Sequence, residues 1–340
     1  MLDVEPSAGA SCHTPTFFGG LTPHFMRLPC ARNKNPLPSP ALARKNRALM
    51  FAGAHTALVT PFRNDRFDEA AFTSLIEAQI AGGITGIVPV GTTGESPTLD
   101  HTEHLRVIEL AVQTAKGRTK VIAGTGSNST REAVEMTVES EKLGADAALL
   151  VAPYYNRPTQ EGLYRHFRAV AEKTKLPLIL YSIPGRCGVE IAVETCVRLA
   201  KDCSNIVAIK EAGGTVERVS ALRALLPEAF EILSGDDSLT LPFISAGACG
   251  VISVASNIIP AEVGALVAAA NAGHFDEAKR LHFHWYSLFK DIFIESNPAP
   301  IKKALAWQNR MTAEVRLPLC ELAASSQDKL RATLSALKLI

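Results

Sequence analysis

From residue 54 onward, short β-branched runs alternate with longer segments of helical period, and they do so eight times. The runs are Ala54 to Thr60, Gly86 to Val90, Lys120 to Gly124, Ala147 to Val151, Leu178 to Tyr181, Ile206 to Lys210, Phe230 to Ser234 and Gly250 to Val254. Parallel strands need a crossover between them, and a helix is the usual one. Eight such units, roughly 20–30 residues apart over about 220 residues, predict an α/β fold of the closed (β/α)8 barrel type. An open doubly wound sheet usually carries a glycine-rich phosphate loop after its first strand. Here that strand runs into Thr60-Pro61-Phe62, which is no such loop.

Punctuation along the chain agrees. Phe72, Leu75, Ile76 and Ile80 share one helical face, and Gly82-Gly83 ends that helix. Asp100 and Ser129 stand as caps with Glu103 and Glu132 three residues on, a pattern that predicts reciprocal capping. Leu105, Ile108, Val112 and Ala115 are expected to line the inner side of the second helix, and Pro260 to Ala272 to form the eighth. Residues 50–274 are thus expected to form the catalytic barrel. Residues 275–340 lack strand runs and read as extra helices over 276–292, 300–308 and 321–337. Residues 1–49 carry seven prolines and no period, and they read as a disordered extension. An over-long start accounts for them better than a targeting peptide, because no apolar core and no clean amphipathic helix is present.

Composition removes several function classes. A formal net charge of +1 gives no footing for nucleic acid or an anionic membrane, and no apolar run has the length of a membrane span. The seven scattered cysteines form no CxxC or CxH pair, so a reducing, cytoplasmic setting is expected.

A barrel of this kind does its chemistry at the C-terminal ends of its strands. Those ends hold Gly91-Thr92-Thr93-Gly94-Glu95-Ser96, Pro153-Tyr154-Tyr155-Asn156, Tyr181 with Pro184-Gly185-Arg186, Lys210-Glu211 and Gly235-Asp236-Asp237. Lys210 closes an apolar strand. A desolvated amine there can attack a ketone and form an imine, which then acts as an electron sink. The same position also suits a lysine that merely marks the strand's exit to solvent. Tyr181, Thr93 and Tyr155 are candidates for a hydroxyl relay, or for packing and turn-capping. Arg186 follows a Pro-Gly turn and could grip a carboxylate. Asp236-Asp237 lacks a His or Glu partner at ligand spacing, so capping is expected of it and no metal. His282 and His284 are two apart on a helix and do not share a face.

Jointly these stretches resemble the dihydrodipicolinate synthase and N-acetylneuraminate lyase family. They are Gly91 to Ser96, Pro153 to Pro158, Tyr181 to Gly188, Ile209 to Ala212 and Ser234 to Asp237, in order and with few spacing changes. The resemblance begins near Met50 and leaves residues 1–49 outside. It implies an imine between Lys210 and pyruvate, and no metal or organic cofactor. It implies a proton relay of Tyr181, Thr93 and Tyr155, with Tyr155 reaching across from a neighbouring subunit of a tetramer. It further implies that Arg186 binds the carboxylate of aspartate semialdehyde, and that Thr92, Gly235 and Ile252 line the pyruvate site. Ser96, His101, His104, Asn128, Glu132 and Tyr154 match positions where many such synthases bind lysine as a feedback inhibitor. Ser182 and Cys187 depart from the family pattern, where asparagine and threonine are commoner. A pyruvate-dependent aldolase or lyase for a sugar acid or hydroxy-oxo acid, and a non-catalytic ligand-sensing barrel, are the alternatives.

Overall fold

A computed structural model describes residues 49–340. Residues 1–48, and with them the expectation for the N-terminal extension, lie outside the described residues. Eight parallel strands close into a barrel: β1 (Gly53–Ala57), β4 (Gly86–Val88), β5 (Lys120–Gly124), β6 (Ala147–Val151), β7 (Leu178–Ser182), β8 (Ile206–Glu211), β9 (Glu231–Ser234) and β10 (Gly250–Ser253). Each pairs with the next, and β10 pairs with β1 to complete the ring. The apolar, β-branched runs are buried because helices cover the outside while side chains fill the inside.

The helices follow their sequence punctuation, with two adjustments. Asp100 caps α2 (His101–Ala115) by accepting from Glu103 N. The buried face of α2 carries His104, Val107, Ile108, Ala111 and Ala115, so Leu105 and Val112 lie at its edges rather than at its centre. Ser129 caps α3 (Thr130–Leu143), yet Glu132 does not reach back to it. The Glu132 carboxylate instead accepts from Ser127 Oγ at 2.5 Å, and Ser129 N donates to that same hydroxyl at 3.0 Å. A stronger local partner has broken the reciprocal arrangement.

Past the first strand the chain forms a small hairpin, β2 (Phe62–Arg63) and β3 (Arg66–Phe67). Asn64 and Asp65, at φ 53° and 60°, make its two-residue turn, the conformation Asn and Asp tolerate best. The eighth barrel helix, α9, covers Pro260–Asn271. Three further helices follow: α10 (Phe275–Asp291), α11 (Ala299–Trp307) and α12 (Ala324–Ala336), the last beginning three residues later than its sequence pattern predicts. These helices share the core, with Leu288, Ile301, Leu305, Leu330 and Leu334 fully buried. Among the described residues, no helix is long and apolar enough to cross a membrane.

Candidate active site

Strand register brings the first two candidates together. Tyr181 in β7 pairs with Lys210 in β8, and the Lys210 amine lies 4.2 Å from the centre of the Tyr181 ring. Lys210 is only 6% exposed. Burial pulls its pKa down to about 7; the charge of Asp237 works against this and that of Arg186 with it. Burial pushes the Tyr181 phenol up to about 12, while the Thr92 hydroxyl and the Arg186 charge pull the other way. The amine is thereby poised to be neutral and the phenol to keep its proton at neutral pH.

Close approach around Lys210 requires a glycine. A Cβ on Gly235 would stand 2.7 Å from the Ala212 Cβ and 3.1 Å from Lys210 Cε. Ile252 is fully buried in β10. Asp236 caps the turn beginning at Asp237, accepting from Ser238 N at 2.7 Å. Asp237 is buried and accepts from Ser253 Oγ, from Val254 N at 3.0 Å and from Ala255 N at 3.2 Å. Burial nonetheless raises its pKa to about 6. Among the described residues, no cluster of His, Cys, Asp and Glu could hold a metal ion.

The Gly91–Ser96 loop separates its two threonines. Thr92 lies beside Tyr181. Thr93 is buried and its hydroxyl accepts from Asn297 Nδ2 at 2.9 Å. The two consecutive threonines thus have different partners, the Tyr181 phenol for Thr92 and Asn297 for Thr93. The loop itself is anchored by Glu95, in the left-handed region at φ 56°. One Glu95 oxygen accepts from Lys302 Nζ at 2.6 Å, the other from Arg316 N at 3.0 Å. A Cβ on Gly94 would stand 2.8 Å from Val90 N, so the loop packs too closely there for any other residue.

Arg186 sits in a four-residue helical turn, Pro184–Cys187, and is exposed. Its Nη2 donates to the Asn297 carbonyl at 3.3 Å. The two departures from the family pattern flank it from inside: Ser182 and Cys187 are both buried, and Ile191 N donates to Ser182 Oγ at 3.4 Å. Tyr155 stands apart from all of these. It is 90% exposed and held in the left-handed region at φ 70°, so it projects outward from its own barrel. Such backbone strain is costly for a tyrosine and persists where neighbouring structure enforces it; Asn156 Nδ2 donates to Asn128 O at 2.9 Å beside it.

A second cluster forms at the starts of α2 and α3. His101 Nε2 lies 2.5 Å from one Glu132 oxygen, and Ser127 Oγ donates to the other. The Ser127 hydroxyl and His101 hold the Glu132 carboxyl below its ordinary range. Asn128 Nδ2 donates to Tyr154 O at 3.2 Å. His104 is turned inward, its Nε2 donating to Gly124 O at 2.8 Å, and burial lowers its pKa. Ser96 opens the neighbouring 3-10 turn, with Pro97 as its second residue. Sequence reasoning places Ser127 at a strand end without a role and misses Asn297 and Lys302. Ser127 had a local signal, its place in the loop after β5, whereas the other two lie about 200 residues from the loop they serve.

Comparison with known proteins bears on these clusters. Residues 50–337 match the Dihydrodipicolinate synthetase family. The chain is 53% identical over 291 residues to the 4-hydroxy-tetrahydrodipicolinate synthase of Geotalea daltonii, covering 86% of this chain and all of that one. It is 54% identical to the solved 4-hydroxy-tetrahydrodipicolinate synthase of the methanotroph Methylacidiphilum fumariolicum SolV, with a TM-score of 0.84, covering 84% of this chain and 96% of that one. It is 41% identical to a dihydrodipicolinate synthase from Cyanidioschyzon merolae solved with lysine bound, with a TM-score of 0.84 and coverage of 86% and 100%.

Proposed function

Because the chain belongs to the dihydrodipicolinate synthetase family, we propose that it condenses pyruvate with L-aspartate 4-semialdehyde to give 4-hydroxy-tetrahydrodipicolinate, through an imine on Lys210. The reaction is the first committed step toward diaminopimelate and lysine. The observation that carries the assignment to Lys210 is a buried amine with a pKa near 7 directly beside the Tyr181 phenol. About 50% identity to synthases, over nearly their whole length, weighs for this substrate pair and against a sugar-acid lyase.

The neutral Lys210 amine adds to the keto carbon of pyruvate, and the carbinolamine loses water to give the imine. Tyr181 supplies and recovers the protons of these steps, with Thr92 as its hydroxyl neighbour. Loss of a methyl proton gives the enamine, whose carbon attacks the aldehyde. The amino group of the second substrate then adds to the imine carbon and expels Lys210, closing the ring. One water leaves in all. The imine is the electron sink, so the scheme needs no metal or organic cofactor.

Thr93 acts in this scheme by holding the loop through Asn297. Gly235, Ile252 and the Gly91–Gly94 loop line the pyruvate pocket, and Arg186 takes the carboxylate of the semialdehyde. The outward, strained Tyr155 is the part that needs a second copy, where it completes the relay of a neighbouring site; a tetramer built from two such pairs follows the family pattern. The cluster of Ser96, His101, His104, Asn128, Glu132 and Tyr154 is the place for feedback by lysine, whose ammonium the ionised Glu132 would pair. The lysine-bound relative supports that reading. The five described cysteines are unpaired, which suits a reducing cytoplasm.

Borohydride reduction in the presence of pyruvate tests the central claim. The protein should gain the mass of reduced pyruvate on Lys210, and Lys210→Ala should gain none. An adduct persisting in that variant would move the imine to another lysine.

A further inference from the structure

Asn297 lies between two residues of the site and touches both. Its Nδ2 donates to Thr93 Oγ1, and its carbonyl accepts from Arg186 Nη2. The residue is 5% exposed. Its remaining polar atom, Oδ1, is buried and has no hydrogen-bond partner. Leaving a buried acceptor empty is costly, so such an atom calls for a water or a ligand donor, and beside a substrate site the ligand can supply it. Because Nδ2 is committed to Thr93, the free atom is an acceptor and calls for a donor.

We propose that Asn297 is a specificity-determining residue whose Oδ1 accepts a hydrogen bond from the α-ammonium of the second substrate. This rests on the synthase reading given above and deepens it. Arg186 is a donor that suits a carboxylate, and the empty acceptor belongs to a residue it touches. A donor beside an acceptor is the recognition pattern for an α-amino acid, whose carboxylate and ammonium share one carbon. Pyruvate and simple aldehyde acids carry no such donor, so they would leave Oδ1 unfilled. A site that presents a buried hydrogen-bonding group rejects the analogue lacking its counterpart more strongly than an apolar pocket can.

Two ligands separate the contributions. Aspartate 4-semialdehyde has aldehyde, carboxylate and ammonium; succinate semialdehyde has the first two alone. Asn297→Ala should raise KM for aspartate 4-semialdehyde about ten- to a hundredfold, the range for a lost hydrogen bond to a charged group. It should leave the inhibition constant of succinate semialdehyde within about twofold, with borohydride trapping of pyruvate measured alongside to report the loop that Asn297 holds through Thr93. Asn297→Asp keeps an acceptor, puts an oxygen to which the Thr93 hydroxyl can donate in place of Nδ2, and adds a carboxylate charge that favours the ammonium, so it should recover most of the KM. An unchanged KM in Asn297→Ala would overturn the proposal. So would a parallel rise in the inhibition constant of succinate semialdehyde, which would mean that Asn297 acts only by placing Arg186 or Thr93. Should Asn297→Ala fail to trap pyruvate, Asn297→Asp carries the test: a KM raised as far as tenfold would overturn the proposal. Failure of the synthase reading would appear separately, as absent turnover in the unaltered protein.

Discussion

Glu95 and Lys302 form an ion pair at 2.6 Å with both side chains out of contact with water, 207 residues apart in the chain. One end of the pair lies in the loop that carries Thr92 and Thr93; the other lies in α11, outside the barrel. Burial pulls the Lys302 amine down to about 8 against the opposing pull of Glu95. The desolvation of both groups is tolerable only while they remain together. Removing one partner, as in Lys302→Ala, should therefore destabilise the protein by about 3–5 kcal/mol. Denaturant unfolding of the variant measures this. A loss under about 1 kcal/mol would mean that the pair does not hold the loop.

Lys210 must be neutral to attack. With a folded pKa of about 7, lowered from the ordinary lysine value by burial, the reactive amine is present above that pH and lost below it. The kcat/KM for pyruvate should rise with pH and level off above about 7, falling about tenfold per unit on the acid side. A profile still rising steeply at pH 9 would assign Lys210 an ordinary amine.

The two threonines give a direct contrast. Thr92 lies beside the Tyr181 phenol, whereas Thr93 is tied to Asn297. Thr92→Val should lower kcat by about a hundredfold or more, in the range of a lost proton-transfer partner. Thr93→Val should spare kcat by comparison and disturb the fit of substrate instead. The reverse ranking would return the relay to Thr93.

Tyr155 points away from its own barrel. If it serves a neighbouring site, Lys210→Ala and Tyr155→Phe, each nearly inactive, should complement when unfolded and refolded together. In a mixed pair one of the two sites holds both native residues, so activity should recover to about a quarter of the unaltered level for random pairing. No recovery, with mixed oligomers shown to form, would confine Tyr155 to its own chain.

The barrel was legible because eight β-branched runs must each be buried, and helical segments of sufficient length separate them. Lys210 and Tyr181 were legible for the same reason: both end such runs, and strand register then sets them side by side. The different partners of Thr92 and Thr93 were not. Spacing does not say which of two neighbouring loop residues meets which partner, and this loop is flanked by Val90 and Glu95 in the left-handed region. Glu132 misled as a capping residue because Ser127 and His101 compete for its carboxylate, and spacing alone does not rank competing donors. Asn297, Lys302 and Arg316 had no local signal, since their bonds to the Thr93 and Glu95 loop close only in the folded chain.

That closure has a consequence for synthesis on the ribosome. Glu95 emerges early, while Lys302 and Arg316 follow 207 and 221 residues later. At translation rates of roughly 5–20 residues per second, the nascent loop waits roughly 10–45 s for both partners. Until then the Glu95 carboxylate lacks both of these partners, and the loop that carries the two threonines lacks this anchor. A transcript cut short before α11 would yield a chain with all eight strands and the reactive lysine, yet one that quality-control proteases should recognise as unfinished.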